Sequence, residues 1–203
     1  MLDGARLYAI TPDASPAEIE HLVGAVLRGG ADVIQLRHKS LARGALLGLA
    51  ENLRVLTRTA GAVFIVNDHL DIALLAEADG VHLGDVDLSL GAARRIAGPA
   101  LLIGASANTP AAARAAVGEG ADHLGCGPAF ATPIKASKVA IGPLGVAAVT
   151  ASVDVPVFAI GGIDETNIPS LTAVGVDRVC VIRALSEAAD PEAATRSLRA
   201  LLA

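Results

Sequence analysis

Three polar residues that directly follow a short apolar run are the part of this chain best suited to chemistry. Gln35, Arg37 and Lys39 occupy alternate positions after Val33 and Ile34. Successive side chains of a β-strand point to opposite faces, so alternate residues of a strand here would share one face that turns from apolar to cationic toward its C-terminal end. An amide, a guanidinium and an ammonium group held side by side require an anionic partner. The simplest partner is a ligand that carries phosphate.

Two acidic residues follow neighbouring apolar runs further along the chain. Asp68 comes directly after one run, and Asp87 comes shortly after the next. Adjacent strands lie about 4.8 Å apart, so two carboxylates at their ends can share one hard cation. Beside cationic strand ends the expected ion is Mg²⁺, which takes one or two carboxylates together with phosphate oxygens. Helix capping by Asp68 or Asp71, with a turn over residues 85–87, is the alternative explanation.

Other predicted strand ends also carry polar or glycine residues. Gly161 and Gly162 follow an apolar run, and glycines let backbone N–H groups approach an anion. Arg183 is the last residue of the final run, and an arginine at the end of a buried strand is expected to have an anionic partner. The remaining polar positions of this kind are Asn67, Ser106, Thr132 and Lys135.

The elements that must position these residues alternate along the whole chain. Short apolar, mostly β-branched runs recur at 7–11, 33–37, 63–68, 80–84, 101–106, 123–128, 157–162 and 178–183. Segments with helical spacing lie between them, most clearly at 16–28, 41–59, 90–97, 110–119 and 191–202. This alternation predicts an α/β fold, a closed (β/α)₈ TIM barrel that occupies residues 1–203 as a single domain, with its chemistry at the C-terminal ends of the strands. An open doubly wound sheet is the alternative, but no Gly-rich dinucleotide motif follows the first run.

Two helix starts are marked by capping residues. Ser15 precedes Pro16 and stands three residues before Glu18, which is the spacing of a capping box. Thr109 precedes Pro110 in the same arrangement of a cap followed by proline. These signals predict that helices begin at residues 16 and 110.

The composition argues against several classes of function. The chain has 203 residues and a formal net charge of −5, with aromatic residues at 2% and no Trp, so nucleic acid is not expected as a partner. No apolar stretch reaches the roughly 18 residues of a membrane helix, and the N-terminus lacks the pattern of a secretory signal. We therefore expect a soluble cytoplasmic protein with no membrane partner. Cys126 and Cys180 are expected as buried thiols in a reducing compartment, with a disulfide left open.

The few ring side chains near the predicted strands carry no clear catalytic signal. The histidines show no zinc-binding spacing. His82 is expected to pack in or near the barrel wall, and His123 to be a surface or packing residue. Tyr8, the single tyrosine, either faces a ligand or packs.

The ordered set of motifs resembles the thiamine phosphate synthase family. In chain order the motifs are YAIT, QLRHK, NDHLDIALLAEADGVHLGDVD, GAS, GCGPAFATPIK, AIGGI and VIRAL, from about residue 7 to the C-terminus. A single motif such as QxRxK is weak, whereas the ordered set is specific. The resemblance implies a (β/α)₈ barrel that joins hydroxymethylpyrimidine diphosphate to thiazole phosphate and releases pyrophosphate. It also suggests a homo-oligomer.

The resemblance assigns roles to individual residues. Asp68 and Asp87 would bind Mg²⁺. The thiazole phosphate would contact Thr132, Ile134, Gly162, Ile182 and Arg183. The pyrimidine diphosphate would be held by Gln35, Arg37, Lys39, Asn67, Ser106 and Lys135, of which Arg37, Ser106 and Lys135 would be catalytic.

The implied chemistry needs no protein nucleophile and no general base. The bond between carbon and the diphosphate oxygen breaks early, which leaves a pyrimidine cation that the thiazole nitrogen attacks. Catalysis then consists of neutralising charge on the leaving group and of positioning two substrates. These tasks suit a site rich in Lys, Arg and Mg²⁺ ligands.

Several residues depart from the family pattern. Ile134 replaces a hydroxyl residue, and Arg183 stands where Ser is common. His38 occupies an often acidic position, and Pro143 stands where Leu is common. These changes affect the expected affinity for thiazole phosphate more than the type of reaction.

Three other functions are compatible with parts of the pattern. A thiazole tautomerase would need a histidine two residues after Ser106, where this chain has Asn108. A non-catalytic sensor of phosphorylated ligands on the same barrel is supported by Ile134. A phosphosugar isomerase would need a catalytic base at a strand end, and the sequence excludes it poorly. Release of pyrophosphate from the two thiamine precursors distinguishes the synthase from all three.

Overall fold

A closed barrel of parallel strands forms the centre of the molecule. The structure is a computed structural model that describes residues 2–132 and 139–202. Each strand pairs with the next one along the chain, and the eighth pairs with the first. The strands are β1 (Leu7–Ile10), β2 (Val33–Leu36), β3 (Val63–Asn67), β4 (Gly80–Leu83), β5 (Leu102–Ser106), β6 (His123–Cys126), β7 (Val157–Ile160) and β8 (Val179–Val181). The prediction of a (β/α)₈ barrel is confirmed, and the open sheet was wrong.

Helices surround the barrel and connect its strands. They are α1 (Pro16–Arg28), α2 (Arg43–Ala60), α3 (Leu70–Leu75), α4 (Leu90–Ala97), α5 (Pro110–Gly118), α6 (Gly142–Thr150), α7 (Ile168–Thr172), α8 (Arg183–Ser186) and α9 (Pro191–Ala200). Ser15 and Glu18 form the predicted capping box, and the Thr109 side chain accepts from the backbone N–H of Ala112. In the part of the chain that the structure describes, no helix is long and apolar enough to cross a membrane.

The strands are buried on both faces. Ile34, Phe64 and Leu124 have no exposed surface and pack between the barrel and the helices. Val33 and Ile65 point into the barrel interior. Burial of each such large side chain contributes about 1.5–3 kcal/mol, and burial on both sides explains why the strands read as continuous apolar runs. No disulfide joins the two cysteines within the described ranges, because Cys126 packs in the outer core and Cys180 in the inner one.

Seven of the eight predicted strands end one or two residues earlier than expected, and two of them stop short of an arginine. The prediction placed Arg37 on the second strand, but β2 ends at Leu36. The Thr11 hydroxyl accepts from the backbone N–H of Arg37 at 2.9 Å and donates to its carbonyl at 3.0 Å, so a side chain replaces the strand ladder there. Arg183 is likewise not on a strand, since β8 ends at Val181 and Arg183 begins α8.

Acidic residues repeat at the opposite, N-terminal end of the barrel. Asp79 precedes β4, and its carboxylate accepts from the backbone N–H of Phe64 at 2.8 Å and from both terminal nitrogens of Arg54 at 2.8 and 2.9 Å. Asp32 and Asp122 make equivalent contacts before β2 and β6. These acids join neighbouring strands to helices, so this end of the barrel serves stability.

Candidate functional site

A cavity of about 540 Å³ opens at the C-terminal end of the barrel. All eight strands or the loops that follow them contribute to its wall, as is usual for ligand sites of this fold. The predicted site residues that line it are Gln35, Arg37, Lys39, Asn67, Asp68, Ser106, Thr132, Gly162, Ile182 and Arg183. Asp87 adjoins the cavity through its contact with Asp68. Ile134 and Lys135 lie outside the described residues.

The loop after β2 supplies two cations to one side of the cavity. Arg37 and Lys39 lie beyond the last strand residue, and both are tied to Asp13 of the loop after β1. Arg37 Nη1 lies 3.5 Å from Asp13 Oδ2, and the backbone N–H of Lys39 donates to Asp13 Oδ1 at 2.6 Å. Lys39 Nζ donates to Asp68 Oδ2 at 2.6 Å. The two cations are therefore fixed by acids on neighbouring loops.

The two predicted metal ligands are in direct contact with each other. Asp68 follows β3 in a left-handed conformation (φ 65°), and its backbone N–H donates to the carbonyl of His82 on the adjacent strand at 2.8 Å. Asp68 and Asp87 share a hydrogen bond between their side chains. Asp87 Oδ2 also accepts from the backbone N–H of Gly84 at 2.8 Å. Two carboxylates can approach in this way only if they share a proton or a cation.

The pKa values of the pair move in opposite directions. Burial raises the pKa of Asp68, but the hydrogen bond and charge of Lys39 outweigh burial and hold that pKa below its usual value. Burial raises the pKa of Asp87; the Gly84 N–H opposes the rise, and the neighbouring charge of Asp68 adds to it. Lys39 thus compensates Asp68, and the unfavourable proximity of the two carboxylates falls on Asp87.

The donor set fits a hard divalent cation. In residues 2–132 and 139–202, no group of three or more His, Cys, Asp or Glu residues could hold a metal ion. Two carboxylates beside a polar cavity leave the other coordination positions to water or substrate oxygens, as Mg²⁺ prefers. Helix capping does not explain Asp68, because α3 begins after His69 without a side-chain cap. A turn does exist at Asp87, whose N–H donates to the Gly84 carbonyl at 3.2 Å.

The floor of the cavity is aromatic and polar. Gln35 is buried, and its Nε2 donates to the Tyr8 hydroxyl at 2.7 Å. Tyr8 both packs edge-on against Phe158 and lines the cavity, and burial raises its pKa. His123 is 1% exposed, and burial lowers its pKa to about 3. Neither of its ring nitrogens has a hydrogen-bond partner among the described residues.

His82 is the functional candidate that the sequence analysis missed. Its Nε2 lies 3.1 Å from the hydroxyl oxygen of Ser106 on the next strand. The predicted place in the barrel wall is confirmed, but the side chain also lines the cavity and contacts a predicted site residue. The period of two along β4 was the available signal, since it points His82 and Gly80 to the same, inner face.

The loops after β7 and β8 form the other side of the cavity. Gly161 and Gly162 have φ values of 102° and 65°. A Cβ on Gly161 would lie 2.6 Å from the Cβ of Pro128, so both the conformation and the close packing require glycine. Arg183 has an anionic partner as expected, but the partner is the chain's own Glu187, at 2.8 Å between Nε and Oε1.

Fold and cavity together define a (β/α)₈-barrel protein with a small-molecule pocket at the C-terminal ends of its strands. The family model described as thiamine monophosphate synthase matches residues 7–185. The chain therefore belongs to the thiamine monophosphate synthase family.

Relatives and solved structures agree with this assignment. A thiamine-phosphate synthase of Methanoculleus marisnigri is 48% identical over 97% of this chain and 94% of its own length. One of Gloeobacter violaceus is 46% identical over 94% of this chain, but the chain spans 55% of that relative's length. The structure of a thiamine phosphate pyrophosphorylase from Pyrococcus furiosus has a TM-score of 0.90 at 38% identity and covers 97% of this chain and 95% of its own. A 3-hexulose-6-phosphate synthase, at 19% identity and a TM-score of 0.73, shows the same fold only.

Proposed function

We propose that this protein is a thiamine phosphate synthase that joins hydroxymethylpyrimidine diphosphate to thiazole phosphate and releases pyrophosphate. One observation carries the proposal. The cations of the β2 loop, the paired acids after β3 and β4, and the glycine turn after β7 all face or adjoin one cavity. The full-length similarity to the Methanoculleus relative supports it.

The first substrate binds with its diphosphate toward the cationic loop. Arg37 and Lys39 neutralise the diphosphate. The family resemblance assigns Lys135 the same role. Asn67 and Ser106 supply polar contacts from the neighbouring strand ends. Gln35 lies deeper, on the floor, where it meets the pyrimidine ring. The arrangement places charge compensation where negative charge grows as the bond breaks.

Charge in the cavity supports a requirement for Mg²⁺. The described part of the wall carries as many carboxylates as cations, with Arg37, Lys39 and Arg183 against Asp68, Asp164 and Glu187. A diphosphate adds more negative charge to this balanced surface, so a divalent cation is needed to offset it. Asp68 and Asp87 would hold that ion, which when bound stabilises charge on the leaving pyrophosphate.

The second substrate binds between the loops after β6, β7 and β8. Gly162 brings backbone N–H groups to its phosphate, and Thr132 offers a hydroxyl. Ile182 lines the same side of the cavity. The family resemblance implies a hydroxyl contact to this phosphate at position 134, which Ile134 cannot make, and Arg183 takes its place. When the substrate binds, Arg183 exchanges its ion pair with Glu187 for one with the phosphate.

The wider context follows from the same proposal. Residues 1–203 act as a single barrel domain whose partners are small phosphorylated molecules. A cytoplasmic location suits a biosynthetic enzyme with such substrates. The protein acts as a homo-oligomer, as its family resemblance suggests, and it has no nucleic-acid or membrane partner.

The deciding experiment supplies the purified protein with both precursors and Mg²⁺. We expect equimolar thiamine phosphate and pyrophosphate, and loss of both when a chelator removes the metal. Omission of either precursor is the control. Turnover of the thiazole without pyrophosphate release would instead identify a tautomerase, and tight binding without turnover would identify a sensor.

A further inference from the structure

His82 is a cavity residue with no role in the function proposed so far. It lies on β4 with its ring inside the barrel, and its Nε2 lies 3.1 Å from Ser106 Oγ on β5. Ser106 itself is exposed to the cavity. The contact therefore connects the barrel interior to a hydroxyl group that a bound ligand can reach.

The strands around His82 leave space for its ring. A Cβ on Gly104 would lie 2.7 Å from His82 Nδ1 and would also clash with the ring of His123. A Cβ on Gly125, on the next strand, would lie 3.5 Å from His82 Cε1. The His123 ring packs behind His82 with 5.8 Å between the ring centroids. Two glycines and a buried imidazole thus hold His82 against Ser106.

We propose that His82 is a positioning residue that fixes the Ser106 hydroxyl so that it donates its proton to the diphosphate of the first substrate. The inference rests on the proposed function, because it needs an acidic phosphate ligand at Ser106. Diphosphate oxygens accept hydrogen bonds and do not donate them. Ser106 must therefore donate its O–H to the ligand, which leaves the hydroxyl oxygen to accept from His82.

This requirement places a hydrogen on Nε2 of His82, which donates to Ser106 Oγ. The opposite arrangement would turn the Ser106 proton toward His82 and its lone pairs toward the anion, which is repulsive. His82 thereby selects for an acceptor at this position of the cavity.

A double-mutant cycle with Ser106 tests the inference. We expect His82→Leu and Ser106→Ala each to lower kcat/KM for the pyrimidine diphosphate about tenfold. Either change costs the hydrogen bond that the Ser106 hydroxyl donates to the charged diphosphate. Because the two residues act as one unit, we expect the double variant to be little worse than either single variant. His82→Gln, which keeps a donor nitrogen, should recover activity. His21→Leu, on the exposed face of α1, is the matched control.

Outcomes divide clearly between support and refutation. Losses that add in the double variant, or unchanged activity in His82→Leu, would overturn the inference. If His82→Leu does not fold, His82→Asn replaces it, because its shorter amide does not reach the hydroxyl. Calorimetric binding of pyrophosphate with Mg²⁺ to the same variants gives a second readout. Coupled losses of binding in a protein that makes no thiamine phosphate would keep the inference and reject the proposed synthase activity.

Discussion

Acid should destabilise the fold through one buried histidine, His123. The ring lies inside the barrel beside Tyr8, His82 and Phe158, with 1% of its surface exposed. Burial is the main cause that lowers its pKa to about 3, and the nearby His82 adds to the effect. In the unfolded chain the same ring has a pKa of about 6.5.

The size of the effect follows from these two values. Below pH 6.5 the unfolded chain binds a proton at His123, whereas the folded protein does not do so until the pH nears 3, so stability is lost as the pH falls between the two values. From this group alone, the free energy of unfolding should be about 2 kcal/mol lower at pH 5 than at pH 7, and about 3 kcal/mol lower at pH 4. Above pH 7 the contribution is constant.

Urea denaturation at pH 7, 5 and 4 measures this loss. The comparison is between the unsubstituted protein and His123→Phe, whose ring does not titrate, and the quantity compared is the change in unfolding free energy with pH rather than its absolute value. Histidines remote from His123 contribute equally to both proteins and cancel. The same pH dependence in the two proteins would refute the argument that His123 is neutral in the folded state.

Three further predictions concern the acids and Arg183. Asp68→Asn and Asp87→Asn should each abolish Mg²⁺-dependent turnover without unfolding the protein, because each removes one charged ligand; near-normal kinetics in both would contradict the metal assignment. Arg183→Ala should raise KM for the thiazole phosphate on the order of 10–100-fold and leave KM for the pyrimidine diphosphate little changed, which steady-state kinetics with each substrate varied in turn will show. Asp79→Ala should lower the unfolding free energy by about 3 kcal/mol, since it leaves Arg54 and a strand N–H group unpaired; a loss in urea denaturation no larger than that of a surface substitution would contradict this role.

The barrel was predictable because its strands have a strong local signature. Strands covered on both faces must be apolar throughout, and eight such runs with helices between them leave few other folds. The strand ends were less predictable, since the Thr11 side chain replaces ladder hydrogen bonds at Arg37. Short helices such as α3, α7 and α8, with 6, 5 and 4 residues, were missed because they contain too few turns to show a helical period.

The site was predictable only where charge revealed it. A lysine, an arginine and two acids after apolar runs indicate an anion and a cation site without knowledge of the register. The contact of a histidine inside a barrel is harder to predict. The sequence does not tell whether the side chain next to it is apolar or carries a hydroxyl group, as Ser106 does. The ion pair between Arg183 and Glu187 could have been predicted, since Glu187 follows Arg183 by one helical turn.

The two ends of the barrel use the same residue type for opposite purposes. At the N-terminal end, Asp79 receives a backbone N–H and both arms of an arginine, so its charge is fully compensated and the strands are locked together. At the C-terminal end, Asp68 and Asp87 face each other, and Lys39 pairs with Asp68, so two acids share one close ammonium group. A fold tolerates such a pair only where binding energy offsets the repulsion. The incomplete charge compensation of these two acids is therefore the physical reason for our proposal that a cation, and with it the diphosphate, binds at this end of the barrel.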